Sequence, residues 1–115
     1  MSVCITMQVG PVQPETFRAA VDWLSKQQAP GFISRTAYQA DDDPATVLIV
    51  EQWESHEAFH KTAEALGDEF NRRAGTAALS WTDRVWVTSG KASGEPAAAD
   101  ASAPHITTIR FRALP

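Results

Sequence analysis

Residues 30–59 read PGFISRTAYQADDDPATVLIVEQWESHEAF, and the changes of period along this stretch decide the fold. From Phe32 the run FISRTAYQA alternates as a strand, DDDP makes a polar turn, and TVLIVEQW forms the next strand, so the two make a hairpin. Val47, Leu48, Ile49 and Val50 are consecutive apolar residues. Successive strand residues point to opposite faces, so both faces of this strand must be covered. Beyond Trp53 the period becomes helical: Ser55 is placed to cap, and Phe59, Ala63, Leu66, Phe70 and Ala74 share one stripe of a helix running from about Ser55 to Ala74.

Working outward, SVCITMQV from Ser2 to Val9 is a β-branched strand stopped by Gly10-Pro11. Pro14 and Glu15 suit a first helical turn. Phe17, Ala20, Val21 and Leu24 then follow at i, i+3, i+4 and i+7, predicting an amphipathic helix that ends before Pro30-Gly31. A last strand, ALSWTDRVWVTS, begins near Ala78. The order βαββαβ is the ferredoxin-like split motif of the α+β class, an antiparallel sheet with two helices on one face. The other sheet face needs a cover, so a homodimer packed sheet to sheet is the expected state.

The domain is expected to span residues 1–89, with an Ala/Ser/Pro/Gly-rich linker over 90–104 and a further strand, HITTIRFRA, within 105–115. As a flexible coil the linker would reach on the order of 20 Å, far enough for the tail strand to add to a sheet edge of its own or the partner subunit. At 115 residues one core is the size expectation. The net charge of -4, without clustered Lys or Arg, argues against nucleic acid or an anionic membrane as partner. The N-terminal residues lack the basic start and long apolar run of a signal peptide or membrane span, which makes the cytoplasm the expected location. Cys4 is the only cysteine, which excludes an internal disulfide and predicts a small buried residue.

His56, Glu57 and His60 spell H-E-x-x-H, the zinc-peptidase pattern of two ligands and a general base. Such enzymes place both histidines well inside a helix and bring a third ligand from elsewhere. Here His56 falls in the first turn, directly after the cap, and the remaining histidine is His105 in the tail. The motif therefore reads as a helix start carrying an i, i+4 histidine pair, and no metal is expected.

The combination of Pro30-Gly31-Phe32, Asp43-Pro44, Glu51 two residues ahead of Trp53, and the run from Trp53 through Phe59 resembles the antibiotic biosynthesis monooxygenase domain over roughly residues 3–88. The resemblance implies a dimeric α+β barrel with a pocket in each subunit between sheet and helices. It further implies a small oxygenase of polycyclic aromatics or hydroquinones, as in aromatic polyketide biosynthesis, acting by hydroxylation or oxidative ring opening with molecular oxygen and without a metal. A deprotonated electron-rich phenol can itself pass an electron to oxygen, so the protein need only bind it, assist proton transfer and exclude water. The resemblance thus implies that no cofactor is required; no glycine-rich dinucleotide loop is present, so any reduced flavin would be a diffusible co-substrate.

The residues do not copy the family throughout. Anthrone-oxidising members place an Asn four residues before the tryptophan, where this chain has Ile49. That difference motivates the alternative of a non-catalytic ligand-binding or pathway-assembly dimer. Haem-degrading members carry an axial His a few residues beyond the phenylalanine, where this chain has Thr62 and Ala63.

His60 is the leading candidate base, because a histidine titrates near neutral pH. Trp53 is the candidate aromatic wall, with its indole N–H as donor. At 100° per residue His56 lies about 50° and His60 about 90° from the centre of the apolar stripe, a margin where a side chain either lines a pocket mouth or faces solvent. Tyr38, Ile49, Phe59, Phe70, Arg73 and Trp86 complete the candidate substrate-binding set. Arg73 would hold a phenolate, although Arg near a helix C-terminus is also what the dipole favours. Glu51 in an apolar strand calls for a partner, Arg35 or Arg84.

Overall fold

The computed structural model describes residues 2–90; the expected tail strand at 105–115 and most of the linker lie outside these residues. The elements run β1 (Val3–Val9), α1 (Pro14–Ser25), β2 (Phe32–Ala40), β3 (Asp43–Trp53), α2 (His56–Ala74) and β4 (Thr82–Val87). The four strands form one antiparallel sheet in the order β2-β3-β1-β4. This is the predicted ferredoxin-like α+β arrangement.

Local chemistry sets the boundaries. Pro14 opens α1, and the Gln13 side chain caps it by accepting from the Thr16 amide at 2.8 Å. The helix stops at Ser25, short of Pro30, where the Ser25 hydroxyl donates to the Val21 carbonyl and the Gln27 amide donates to that of Trp23. Ser55 caps α2 by accepting from the Ala58 amide at 3.1 Å, and Gly75 ends that helix at φ 73°.

The expected four-residue turn DDDP is tighter. Ala40 pairs with Asp43, so two aspartates make the turn while Asp43 and Pro44 belong to β3. Asp43 holds this start by accepting from the Ala45 amide and the Thr46 hydroxyl. β4 begins four residues later than Ala78. Asn71 on α2 instead gathers the preceding turn, its Oδ1 accepting from the Thr76 hydroxyl at 2.6 Å and the Trp81 indole at 3.1 Å.

Alternation divides the sheet into two faces. Val9, Val47 and Ile49 turn toward the helices and pack with Phe17 and Ala20 of α1 and Phe70 and Ala74 of α2. The Phe17 and Phe70 rings meet edge to face at 5.8 Å, an arrangement that contributes about 0.5–1.5 kcal/mol beyond the area buried. Leu48 and Val50, between these positions, lie half-buried on the opposite face. Cys4, expected to be buried, is likewise half-buried there, since it pairs with Gln52 and Trp86.

Candidate active site

A cavity of about 380 Å³ opens between the helix-facing side of the sheet and α2, within the size range of small-molecule sites. Its apolar lining is led by Met7, Ile49, Trp53, Phe59, Phe70 and Trp81. Each arrives there for a local reason. Ile49 and Trp53 occupy alternate positions of β3, and Met7 stands opposite Ile49 on β1. Phe59 and Phe70 follow the helical period of α2, while Trp81 is fixed by its indole bond to Asn71.

At the base of this lining lies one buried polar cluster. Glu51, only 3% exposed, accepts from Arg35 Nε at 2.7 Å and from Trp53 Nε1 at 2.8 Å. Arg35 stands opposite Glu51 on β2, and its side chain is nearly as enclosed as that of the glutamate. Removing two charges from water is tolerable here because each finds a charge-assisted partner, and no buried side-chain polar atom among the described residues is left unpaired. The Arg35 guanidinium also lies 4.5 Å from the centre of the Phe32 ring, and Phe32 meets Trp53 edge to face at 5.4 Å. Arg35, Glu51 and Asn71 all contribute to the cavity wall, and Asp68 and Asp83 bring carboxylates to its exposed margin.

Of the expected site residues, the cavity brings together Ile49, Trp53, Phe59 and Phe70. The indole N–H of Trp53 is already given to Glu51, and the ring is 1% exposed, so the expected free donor is instead an internal brace. The remaining candidates sit elsewhere. Tyr38 pairs with Leu48 and Trp86 with Cys4, which places both on the sheet face away from the helices, 53% and 48% exposed. Trp86 donates there to the Thr6 hydroxyl at 2.8 Å. Arg73 binds Glu69 and stacks its guanidinium over Trp23 at 4.5 Å on the outer side of the helices. His60 is exposed and lines a separate groove between α2 and the segment before β2. The Glu51 partner is Arg35, whereas Arg84 pairs with Thr6 across the outer face and lies 5.4 Å from the centre of the Trp86 ring.

Sequence reasoning missed Asn71 and Asp83 as wall residues and treated Arg35 only as a structural partner. The signal available for Arg35 was its register opposite Glu51. Nothing local marks Asn71, because its role depends on the turn that brings Trp81 back over α2.

A βαββαβ sheet with both helices on one face and an apolar cavity against α2 defines a ferredoxin-like α+β domain. Residues 1–72 match the model of the family described as antibiotic biosynthesis monooxygenase, and the chain belongs to that family. No curated protein matches it. Among solved structures it is similar to SnoaB, a cofactor-independent oxygenase from Streptomyces nogalater, at 15% identity and a TM-score of 0.62, covering 81% of this chain and 97% of that one. It is also similar to the ActVA-Orf6 monooxygenase of Streptomyces coelicolor, solved with nanaomycin D, at 19% identity and a TM-score of 0.59, covering 80% and 92%. A third is Rv0793 from Mycobacterium tuberculosis, at 18% identity and a TM-score of 0.58, covering 81% and 100%. At such identities the likeness establishes the fold. No helix among the described residues is long and apolar enough to cross a membrane.

Proposed function

We propose that the protein is a monooxygenase that binds a flat, electron-rich phenol or hydroquinone of polycyclic type and oxygenates it with molecular oxygen, with no resident cofactor. The observation that carries this reading is the aromatic cavity walled by Trp53, Phe59, Phe70 and Trp81, with Arg35 as the buried cation in its lining. Flat rings bury well between such side chains, and a guanidinium stabilises the phenolate from which an electron reaches oxygen. Asn71 spends its Oδ1 on Thr76 and Trp81, leaving its amide NH2 as the donor for a substrate carbonyl or phenolic oxygen. The proton leaves through the carboxylates of Asp68 and Asp83 at the cavity margin. For an anthrone-type methylene the reaction balances without external reductant: the CH2 gives up both hydrogens, one oxygen atom becomes the new carbonyl, and the other leaves as water. A hydroquinone balances likewise: one oxygen atom enters the ring as a hydroxyl, the substrate gives up two electrons in becoming the hydroxyquinone, and the other oxygen leaves as water. A simple phenol, which cannot supply those electrons, would require reduced flavin from solution.

The test is oxygen consumption and product formation with a panel of anthrones and hydroquinones, with and without reduced flavin, comparing the parent protein with Arg35→Met. Turnover lost in the variant while an aromatic probe still binds supports the assignment of Arg35. No product from any member of the panel would overturn the oxygenase reading. It would favour the alternative, a ligand-binding or assembly protein of the same fold, which Ile49 at the position of the family's Asn supports.

The same reading includes a homodimer formed through the outer sheet face, where Leu48, Val50, Tyr38 and Trp86 stand without a helix over them. Val50→Glu would then give a folded monomer by analytical ultracentrifugation, and a parent protein that is itself monomeric would dismiss the arrangement.

A further inference from the structure

The histidine pair on α2 has no part in the cavity chemistry, yet its geometry is specific. His56 and His60 are one helical turn apart on an exposed face, their ring centres 5.3 Å apart and the planes inclined by 53°. Phe59, between them in sequence, lines the cavity, whereas the histidines line the outer groove. We propose that His56 and His60 form a two-imidazole chelate for a divalent transition-metal ion such as zinc on the outer surface of α2.

The spacing can be compared with what coordination requires. A zinc–nitrogen bond of about 2.1 Å places each imidazole centre about 3.2 Å from the ion, and two such centres at the tetrahedral angle stand about 5.2 Å apart. The observed 5.3 Å separation is thus compatible with two imidazoles sharing one tetrahedral ion. The charge around the pair favours a cation. Glu54, Glu57 and Glu64 line the same groove, opposed there by Lys61, and Glu54 and Glu57 stand at the N-terminal end of α2, where they offset the positive end of its dipole. Among the described residues no third His, Cys, Asp or Glu joins the pair at metal-holding distance, so the remaining positions fall to water. That separates the site from the three-ligand centre of a zinc peptidase.

The chelate also has a structural consequence. An ion held by residues 56 and 60 clips together the first two turns of α2, and the unfolded chain presents no such pair at fixed spacing. Binding therefore stabilises the folded state by mass action.

Zinc chloride titrated calorimetrically into the metal-free full chain tests this, with thermal unfolding followed in parallel. The expected result is one zinc per chain and a rise in melting temperature. In His56→Ala and in His60→Ala the affinity falls by about tenfold or more, because each removes one of two protein ligands. His105→Ala leaves binding unchanged. Both α2 substitutions are at exposed positions, so folding is retained. Zinc binding undiminished in His56→Ala, binding lost only in His105→Ala, one zinc per two chains with zinc-driven association, or no binding by the parent protein would each overturn the proposal.

Discussion

The indole N–H of Trp53 donates to the carboxylate of Glu51, two residues earlier on the same strand, at 2.8 Å. Alternation puts both side chains on the helix-facing side of β3, where Arg35 takes the second carboxylate oxygen at 2.7 Å. The tryptophan that marks the family pattern is thus held in place by an internal acid, and the cation paired with this acid lines the cavity.

Removing one partner of such a buried pair costs more than the pair itself contributes. Glu51→Ala leaves Arg35 without its counter-charge and Trp53 without its acceptor, and should lower unfolding free energy by about 3–5 kcal/mol. Arg35→Met should cost a similar amount. The double variant Arg35→Met/Glu51→Met should fall well short of the sum, since no orphan charge remains. Urea unfolding of the four proteins checks this, and strictly additive losses would contradict the coupling.

Trp53→Phe isolates the hydrogen bond from the ring. The aromatic wall against Phe32 and Phe59 persists, while Glu51 Oε1 loses its donor, so the expected loss is about 1–3 kcal/mol in the same assay. A Trp53→Phe protein as stable as the parent would mean that water replaces the indole.

The hairpin and both helices were legible because their apolar periods are long and unbroken, as in Val47–Val50 and the Phe59-to-Ala74 stripe. Which face of the outer strands meets the helices was not. β4 reads TDRVWV, with no polar and apolar alternation to tell Trp86 from Val85, and the answer comes only from Val85 standing opposite Ile5. Tyr38 was misplaced because alternation along β2 does not say which of its faces meets the helices, and only its register opposite Leu48 puts it on the outer one. The Glu51 partner was narrowed to two arginines by the physics of burial, and register selected Arg35. His60 shows the limit of helical angles: at about 90° from the stripe centre a side chain belongs to whichever neighbour lies beside it, and the sequence does not specify that neighbour.

Gly31 and Gly75 separate two reasons for glycine. Both have positive φ, 91° and 73°, but a methyl group at Gly31 would stand 2.6 Å from the Ala58 Cβ on α2, whereas at Gly75 it meets nothing within 4 Å. Gly75→Ala should cost about 1–2 kcal/mol, the left-handed penalty alone. Gly31→Ala should cost more, and in a double-mutant cycle with Ala58→Gly the two substitutions should couple favourably. Equal costs at the two glycines would show that β2 and α2 move apart freely.

Glu69 on α2 accepts from both Arg72 and Arg73 at the helix surface. The Arg72 hydrogen bond, with Arg73 beside it, holds the Glu69 carboxyl below its ordinary value, against a smaller opposing effect of desolvation. A lowered folded-state value gives stability that is present above the unfolded-state value and lost as pH falls through the folded one. Glu69→Gln should therefore be slightly less stable than the parent at neutral pH, with the gap closing as pH falls below the ordinary carboxylate range and shrinking in high salt. Thermal unfolding across that range decides the matter, and a gap independent of pH would assign the effect to packing.

Phe59 and Phe70 distinguish holding the fold from holding a ligand. Phe70 is buried in the core against Phe17 and Trp81, so Phe70→Ala should cost about 3–5 kcal/mol. Phe59 is half-buried, touches Trp53 edge to face at 5.8 Å and faces the cavity, so truncating it removes less packing. Phe59→Ala should cost about half as much stability as Phe70→Ala, because only part of its ring is withdrawn from water. It should nevertheless weaken the binding of an aromatic probe, followed by quenching of tryptophan fluorescence. If Phe59→Ala binds the probe as tightly as the parent does, the wall it forms is not where the rings of a ligand lie.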